Sequence, residues 1–235
     1  MRKYLYTALF CALSVMLLSG CGGGKPASGS SETASTGSGS DKLFGDVSGV
    51  VVEYAQKQND FQKEAVAKMA KIKSMEDATK LEKKATDLKK EAESKLEEAA
   101  KELIGKKVPY EESEGLFFKI TSDPVITKAS ANGSEAVSID ITYRAAQKEA
   151  MEIAKMAYFD YPICYQLVDA TGAPLWTSMT YINAANPGPV KFEAGQDYGQ
   201  DFVMKFSITE KNADKLKDAI KLVFISKAQY DAAKK

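Results

Sequence analysis

No glycine or proline occurs between Gly49 and Gly105. A stretch of that length without either breaker, rich in Ala, Lys, Glu, Met and Leu, reads as helix from about Ser48 to Ile104. Ala78, Leu81, Ala85, Leu88, Ala92, Leu96, Ala99 and Leu103 recur at steps of three and four, a narrow apolar stripe of coiled-coil type. The pairs Glu53/Lys57, Glu64/Lys68, Glu76/Lys80, Glu91/Lys95 and Glu97/Lys101 have the favourable i to i+4 order. Residues 53–104 hold 12 Lys against 12 Asp and Glu, so the outer faces read as solvated and balanced. A stripe this narrow needs a partner, which is the C-terminal domain, the other half of a hairpin or a second copy of the chain. The spacing is read as one long helical stalk, about 65 Å if it starts near Asp60. The alternative is a helical hairpin. Ser74 with Asp77 three residues on is a capping pair, and the apolar steps from Met69 to Ala78 are all threes, which rotates the stripe.

Gly105 and Pro109 end the helical text, and period two takes over. Val137, Ile139, Ile141 and Tyr143 alternate with Ser138, Asp140, Thr142 and Arg144, the pattern of a strand with one buried face. Similar segments are Leu116 to Thr121, Val125 to Ala129, Tyr161 to Asp169, Pro174 to Ile182, Pro189 to Glu193, Phe202 to Thr209 and Ile220 to Ser226. Turn residues separate them at Asn132-Gly133, Ala170-Thr171-Gly172, Asn186-Pro187-Gly188 and Ala194-Gly195. Seven or eight short strands in so few residues predict an α+β protein whose C-terminal part, 108–228, is an antiparallel immunoglobulin-like β-sandwich. Two helical insertions are expected in it. One is Ala145 to Ala157, a run of good helix formers, and the other a short helix capped by Asn212 and running to Asp218. Residues 229–235 are expected as a tail.

The start of the chain carries a different signal. Arg2 and Lys3 precede the apolar run Tyr4 to Leu18, which fits a secretory leader and falls short of the roughly 20 residues that span a bilayer. The run closes on Leu18-Ser19-Gly20-Cys21, which resembles the lipobox of bacterial lipoproteins. The resemblance covers this end only. It implies cleavage before Cys21, acylation of that cysteine, and attachment to the bacterial cell envelope through the lipid. Gly22 in place of Asp leans toward the outer membrane. Each buried CH₂ of an acyl chain contributes about 0.8 kcal/mol, so two or three chains hold a protein that one would release. Residues 22–40 are almost entirely Gly, Ser, Thr and Ala, and read as a flexible tether with an end-to-end distance of about 25 Å. The expected organisation is therefore leader 1–20, lipidated tether 21–41, helical stalk 48–105, sandwich and tail.

Composition narrows the chemistry. The chain contains no histidine, which removes Ser-His-Asp and Cys-His catalysis and every His-ligated metal site. From Cys21 onward there are 30 basic and 32 acidic side chains, a net −2, which makes no overall electrostatic case for nucleic acid or an anionic membrane surface. Once Cys11 leaves with the leader and Cys21 carries lipid, Cys164 is the one remaining thiol, read as a small strand hydrophobe. No cofactor motif and no calcium-binding spacing appears. Asp197 and Asp201 around Gly199 come nearest, and read as loop carboxylates. Glu111, Glu112 and Glu114 cluster in a charged lead-in, short of a paired-carboxylate catalytic site, so no enzyme is expected.

What remains is binding. Tyr158, Tyr161, Tyr165, Trp176 and Tyr181 concentrate aromatic area in two neighbouring strands, and such a platform can grip a glycan or a peptide. The competing reading is core packing, because Phe159, Tyr161, Ile163, Tyr165 and Leu167 share one strand parity. The expected partners are the membrane through Cys21, an envelope protein, glycan or peptide ligand, and a second copy through the helix. The terminal Lys234-Lys235 resembles the C-terminal lysine by which a helical lipoprotein of enteric bacteria is joined to peptidoglycan, with a plain basic terminus as the alternative.

Overall fold

The computed structural model describes residues 42–69, 74–154, 160–182 and 189–234. Two long helices open it, α1 (Gly45–Met69) and α2 (Met75–Leu103). Then come β1 (Tyr110–Glu112), β2 (Phe118–Ile120), β3 (Val125–Asn132), β4 (Ala136–Tyr143), β5 (Ala145–Gln147) and β6 (Met151–Ile153). They are followed by β7 (Pro162–Val168), β8 (Pro174–Tyr181), β9 (Val190–Phe192), β10 (Phe202–Thr209), α3 (Glu210–Leu216), β11 (Lys221–Ile225) and α4 (Lys227–Ala233). The leader, Cys21 and the tether lie outside the described residues.

The long rod is not what forms. Ser74 caps α2, its Oγ accepting from the Asp77 amide at 3.2 Å and donating to Asp77 Oδ2 at 2.9 Å. Phe61 and Ala65 of α1 bury against Leu81 and Ala85 of α2, residues that a straight helix would hold tens of ångströms apart. The hairpin thus closes the Ala/Leu stripe on its own chain. Residues 57–90 make one compact unit, and residues 42–56 with 91–234 make a second.

In the second unit the helices are part of the β core. Phe44, Val47 and Val51 on one side of the hairpin and Leu96, Ala100 and Leu103 on the other are buried in the same cluster as Ile139 and Ile141 of β4. Phe44 lies edge-on to Phe206 of β10, ring centres 5.3 Å apart, and burying a side chain of that size contributes about 1.5–3 kcal/mol.

Two larger sheets supply the rest of that core. One has the order β1-β11-β7-β8, the other β10-β4-β3, and the ribbons β2-β5 and β6-β9 complete the set. All pairings are antiparallel except β1 with β11, which is parallel. Strand β4 buries Val137, Ile139, Ile141 and Tyr143 and turns the residues between outward, as its alternation requires. Tyr143 meets Phe224 of β11 at 5.1 Å and Trp176 of β8 meets Phe206 of β10 at 5.1 Å, so rings bridge the two sheets.

Three local expectations are corrected. Ala145 to Ala157 does not form a helix where it is described. Residues 145–147 and 151–153 are strands instead, because β5 pairs with β2 on one side and Gln147 exchanges backbone bonds with Gln196 and Gly195 on the other. Pairing and burial override the helix propensity of that run. The short helix begins one turn earlier than read from Asn212: Thr209 is its cap residue, and Asn212 Oδ1 accepts from the Thr209 amide at 2.8 Å. Residues 227–233, expected as the end of the sandwich domain and the tail, form α4. It is capped reciprocally, with Ser226 Oγ accepting from the Gln229 amide and Gln229 Oε1 from the Ser226 amide.

Candidate functional site

The aromatic residues of β7 and β8 do not assemble into one surface. The register sets Tyr165 opposite Ser178 and Leu167 opposite Trp176, which turns Tyr165 and Trp176 to the core face. Tyr165 is 2% exposed, and burial pushes its hydroxyl up to about 12 although Ser178 bonds to it. Trp176, half-buried, is sandwiched between Tyr165 at 5.8 Å and Phe206. Tyr161 is half-buried edge-on to Phe117, at 5.8 Å. Tyr181 is exposed at the end of β8, but it pairs with Pro162 and so has the opposite parity to Tyr161. The two tyrosines nearest that sheet end therefore face opposite sides. Tyr158 lies outside the described residues.

On the other face of β7, Cys164 is fully buried with Ile225 and with Tyr230 of α4. Burial raises its thiol to about 11, so at neutral pH it is a protonated, covered group and no nucleophile. Cys164 and Tyr165, adjacent in the chain, thus lie on opposite faces of β7.

The carboxylates are engaged. Arg144, the only arginine in the chain after Arg2, donates to Asp197 at 3.0 Å and approaches Asp201 at 3.8 Å. Asp197 also accepts from the Gly199 amide at 2.7 Å. Beside this pair lies a polar node that the sequence pattern did not announce. Gln147, 1% exposed, donates to the Phe117 carbonyl at 3.0 Å and accepts from Tyr198 at 2.8 Å. Together with the Gln147 and Tyr198 backbone bonds to Gln196, Gly195 and Ala145, these contacts pin the 193–199 loop to β5. The lone arginine among so many lysines was the one available signal, since a planar fork suits carboxylates as a lysine does not.

Glu111, Glu112 and Glu114 do not converge on one site. Glu111 pairs with Lys221, Glu112 accepts from the Ile120 amide at 2.9 Å, and Glu114 is exposed. Two buried hydroxyls, Ser48 Oγ and Tyr143 Oη, have no hydrogen-bond partner among the described residues. Among the same residues no group of three Asp, Glu or Cys is placed to hold a metal ion, and no helix is long and apolar enough to cross a membrane. Lys235 lies outside the described residues. A scan against protein-family models and searches of curated proteins and of solved structures find no match for this chain.

Proposed function

We propose that this chain is a lipid-anchored protein of the bacterial cell envelope that presents its β unit for binding or scaffolding and performs no catalysis. One observation carries the reading: Leu18-Ser19-Gly20-Cys21 closes a leader of the right length and charge and is followed at once by a Gly/Ser tether. Leu43 donates to the Ala219 carbonyl at 2.8 Å and Phe44 is buried in the β core, so a tether pulling on residue 42 would load the β unit directly. Two mainly antiparallel sheets bridged by core rings support an immunoglobulin-like sandwich as the presented element. A binding role is favoured by a chain without histidine whose one described thiol is buried and whose loop carboxylates are held by Arg144.

The test is chemical. In a bacterial host fed labelled palmitate, the wild type should carry label, fractionate with membranes and show an acylated Cys21 by intact mass. Cys21→Ser should be unlabelled and soluble. An unmodified wild-type terminus, or label that survives Cys21→Ser, would sink the proposal.

A further inference from the structure

Four strands end the two larger sheets, and three of them carry a device that stops further pairing. Strand β1 is three residues long and includes Glu111 and Glu112, β3 has Lys128 beside a bulge at Thr127, and β10 has the exposed Lys205. Strand β8 differs. Its eight residues include no charged side chain, and its two irregularities, Pro174 and a bulge at Leu175, both lie at its start. Residues 176–180 run in unbroken register with β7.

Both faces of β8 are occupied. On the core side Trp176 meets Phe206 at 5.1 Å, and on the other side Met179 packs against the cluster of Cys164, Ile225 and Tyr230. Residues 175–180 nevertheless all stay half-buried, whereas β7, one strand further in, is buried at every position but Gln166. The surface that β8 keeps open to water is therefore its edge. Among the described residues no main-chain hydrogen bond reaches residues 176–180 from any strand but β7, so the amides and carbonyls that point away from β7 there have no main-chain partner.

An edge of this kind accepts one more extended strand, and an uncharged edge accepts its own copy, because no register then sets like charge against like charge. We propose that β8 pairs with β8 of a second copy of this chain, antiparallel across a two-fold axis, so that two four-stranded sheets join edge to edge. Centred on Ser178, the pairing sets Trp176 opposite Thr180 and Thr177 opposite Met179, each a large apolar side chain against a β-branched one. It does not depend on a lipid at Cys21. It also uses a different surface from the helical stripe, which the hairpin closes on its own chain.

The experiment uses the chain from Gly22 to Lys235, which keeps every described residue and cannot be lipidated at Cys21, so its outcome is separate from that of the labelling test. Sedimentation equilibrium should give a mass that rises with concentration to that of two chains. Amide hydrogen exchange should slow at alternate residues of 176–180 in the concentrated sample alone. Thr177→Lys and Thr180→Lys put a lysine on one face of the edge and then the other, and each should weaken the dimer at least about tenfold. Val66→Ser with Met75→Ser, both exposed on the helices, should leave it unchanged. Circular dichroism checks that each variant stays folded, and the exchange measurement on the wild type needs no variant. A single-chain mass at every concentration overturns the proposal, as does a dimer indifferent to both lysine variants or one without slowed exchange at 176–180. A dimer lost only in the Val66/Met75 variant overturns it too, and assigns self-association to the helices. Protection that a monomeric chain gains only from an added synthetic Thr/Val peptide would give the edge to a foreign strand and likewise overturn it.

Discussion

Glu64 of α1 accepts from Lys68 of its own helix at 2.7 Å and also from Lys84 of α2, twenty residues further along the chain. A straight helix would separate residues 64 and 84 by about 30 Å, so the second bond exists only because the chain reverses. The bonds from Lys68 and then Lys84 hold the Glu64 carboxyl far below its ordinary range, at about 2.

The sign of the pH effect follows. A folded-state value below the unfolded one means the contribution is complete above about 4.5 and is lost as pH falls through about 2. Glu64 is half-exposed, so the effect is small and screened by salt. In thermal melts followed by circular dichroism, wild type should lose helicity between these pH values more steeply than Glu64→Gln, and the difference should shrink in high salt. Identical profiles would show that Glu64 does not clamp the hairpin.

Strand positions were legible wherever alternation had one buried face. The segment read as Phe202 to Thr209 is β10 to the residue, and Val137 to Tyr143 is β4 less one residue. Parity also sorted Tyr165 from Cys164, because a paired strand has only two faces. Three things were not legible. The stretch after α1 lacks Gly and Pro among residues 70–74, and the signals of a reversal were the Ser74/Asp77 pair and the apolar steps of three from Met69 to Ala78. Strands β5 and β6 are three residues each, too short to display a period, and they exist because their edges find partners. The Gln147–Tyr198 node joins residues 51 apart, and nothing local marks either.

The hairpin between β3 and β4 depends on a residue without a side chain. Gly133 has φ 66°, in the left-handed region, where alanine costs about 1–2 kcal/mol. Its Cβ would meet only Glu93 Oε1, at 3.8 Å, so the cost is conformational and not steric. Gly133→Ala should lower the unfolding free energy measured in urea by that amount, and Gly133→Asn should lower it less. Equal stability of all three proteins would show that the turn relaxes.

Tyr230 is the main seal over Cys164. It is 4% exposed, and α4 is set in place by the Ser226/Gln229 cap and by Gln229 accepting from Ser113 at 2.9 Å. Tyr230→Ala removes a buried ring and should cost about 3 kcal/mol. It should also open a route to the thiol. Wild-type Cys164 should react with a thiol reagent at neutral pH only as the protein unfolds, whereas the variant should react faster while circular dichroism still reports native signal. Unchanged labelling kinetics would mean that α4 does not cover the sulfur.

Two tyrosines, Tyr198 half-buried and Tyr143 fully buried, should respond in opposite directions to loss of one oxygen. The Tyr198 hydroxyl donates to Gln147 Oε1 at 2.8 Å, and burial raises its proton affinity strongly, so it stays a donor across the whole working pH range. Tyr198→Phe strands the buried Gln147 oxygen and should cost about 1–3 kcal/mol. The Tyr143 hydroxyl, by contrast, has no partner among the described residues, while its ring stacks on Phe202 at 5.4 Å and packs against Phe224. Tyr143→Phe keeps those ring contacts and removes only a desolvated, unpaired oxygen, so stability should hold or rise by about 1 kcal/mol. Urea unfolding of the two variants beside wild type measures both. A loss at position 143 equal to that at 198 would show that the Tyr143 oxygen is bonded in solution, and a neutral Tyr198→Phe would show that Gln147 is satisfied without it.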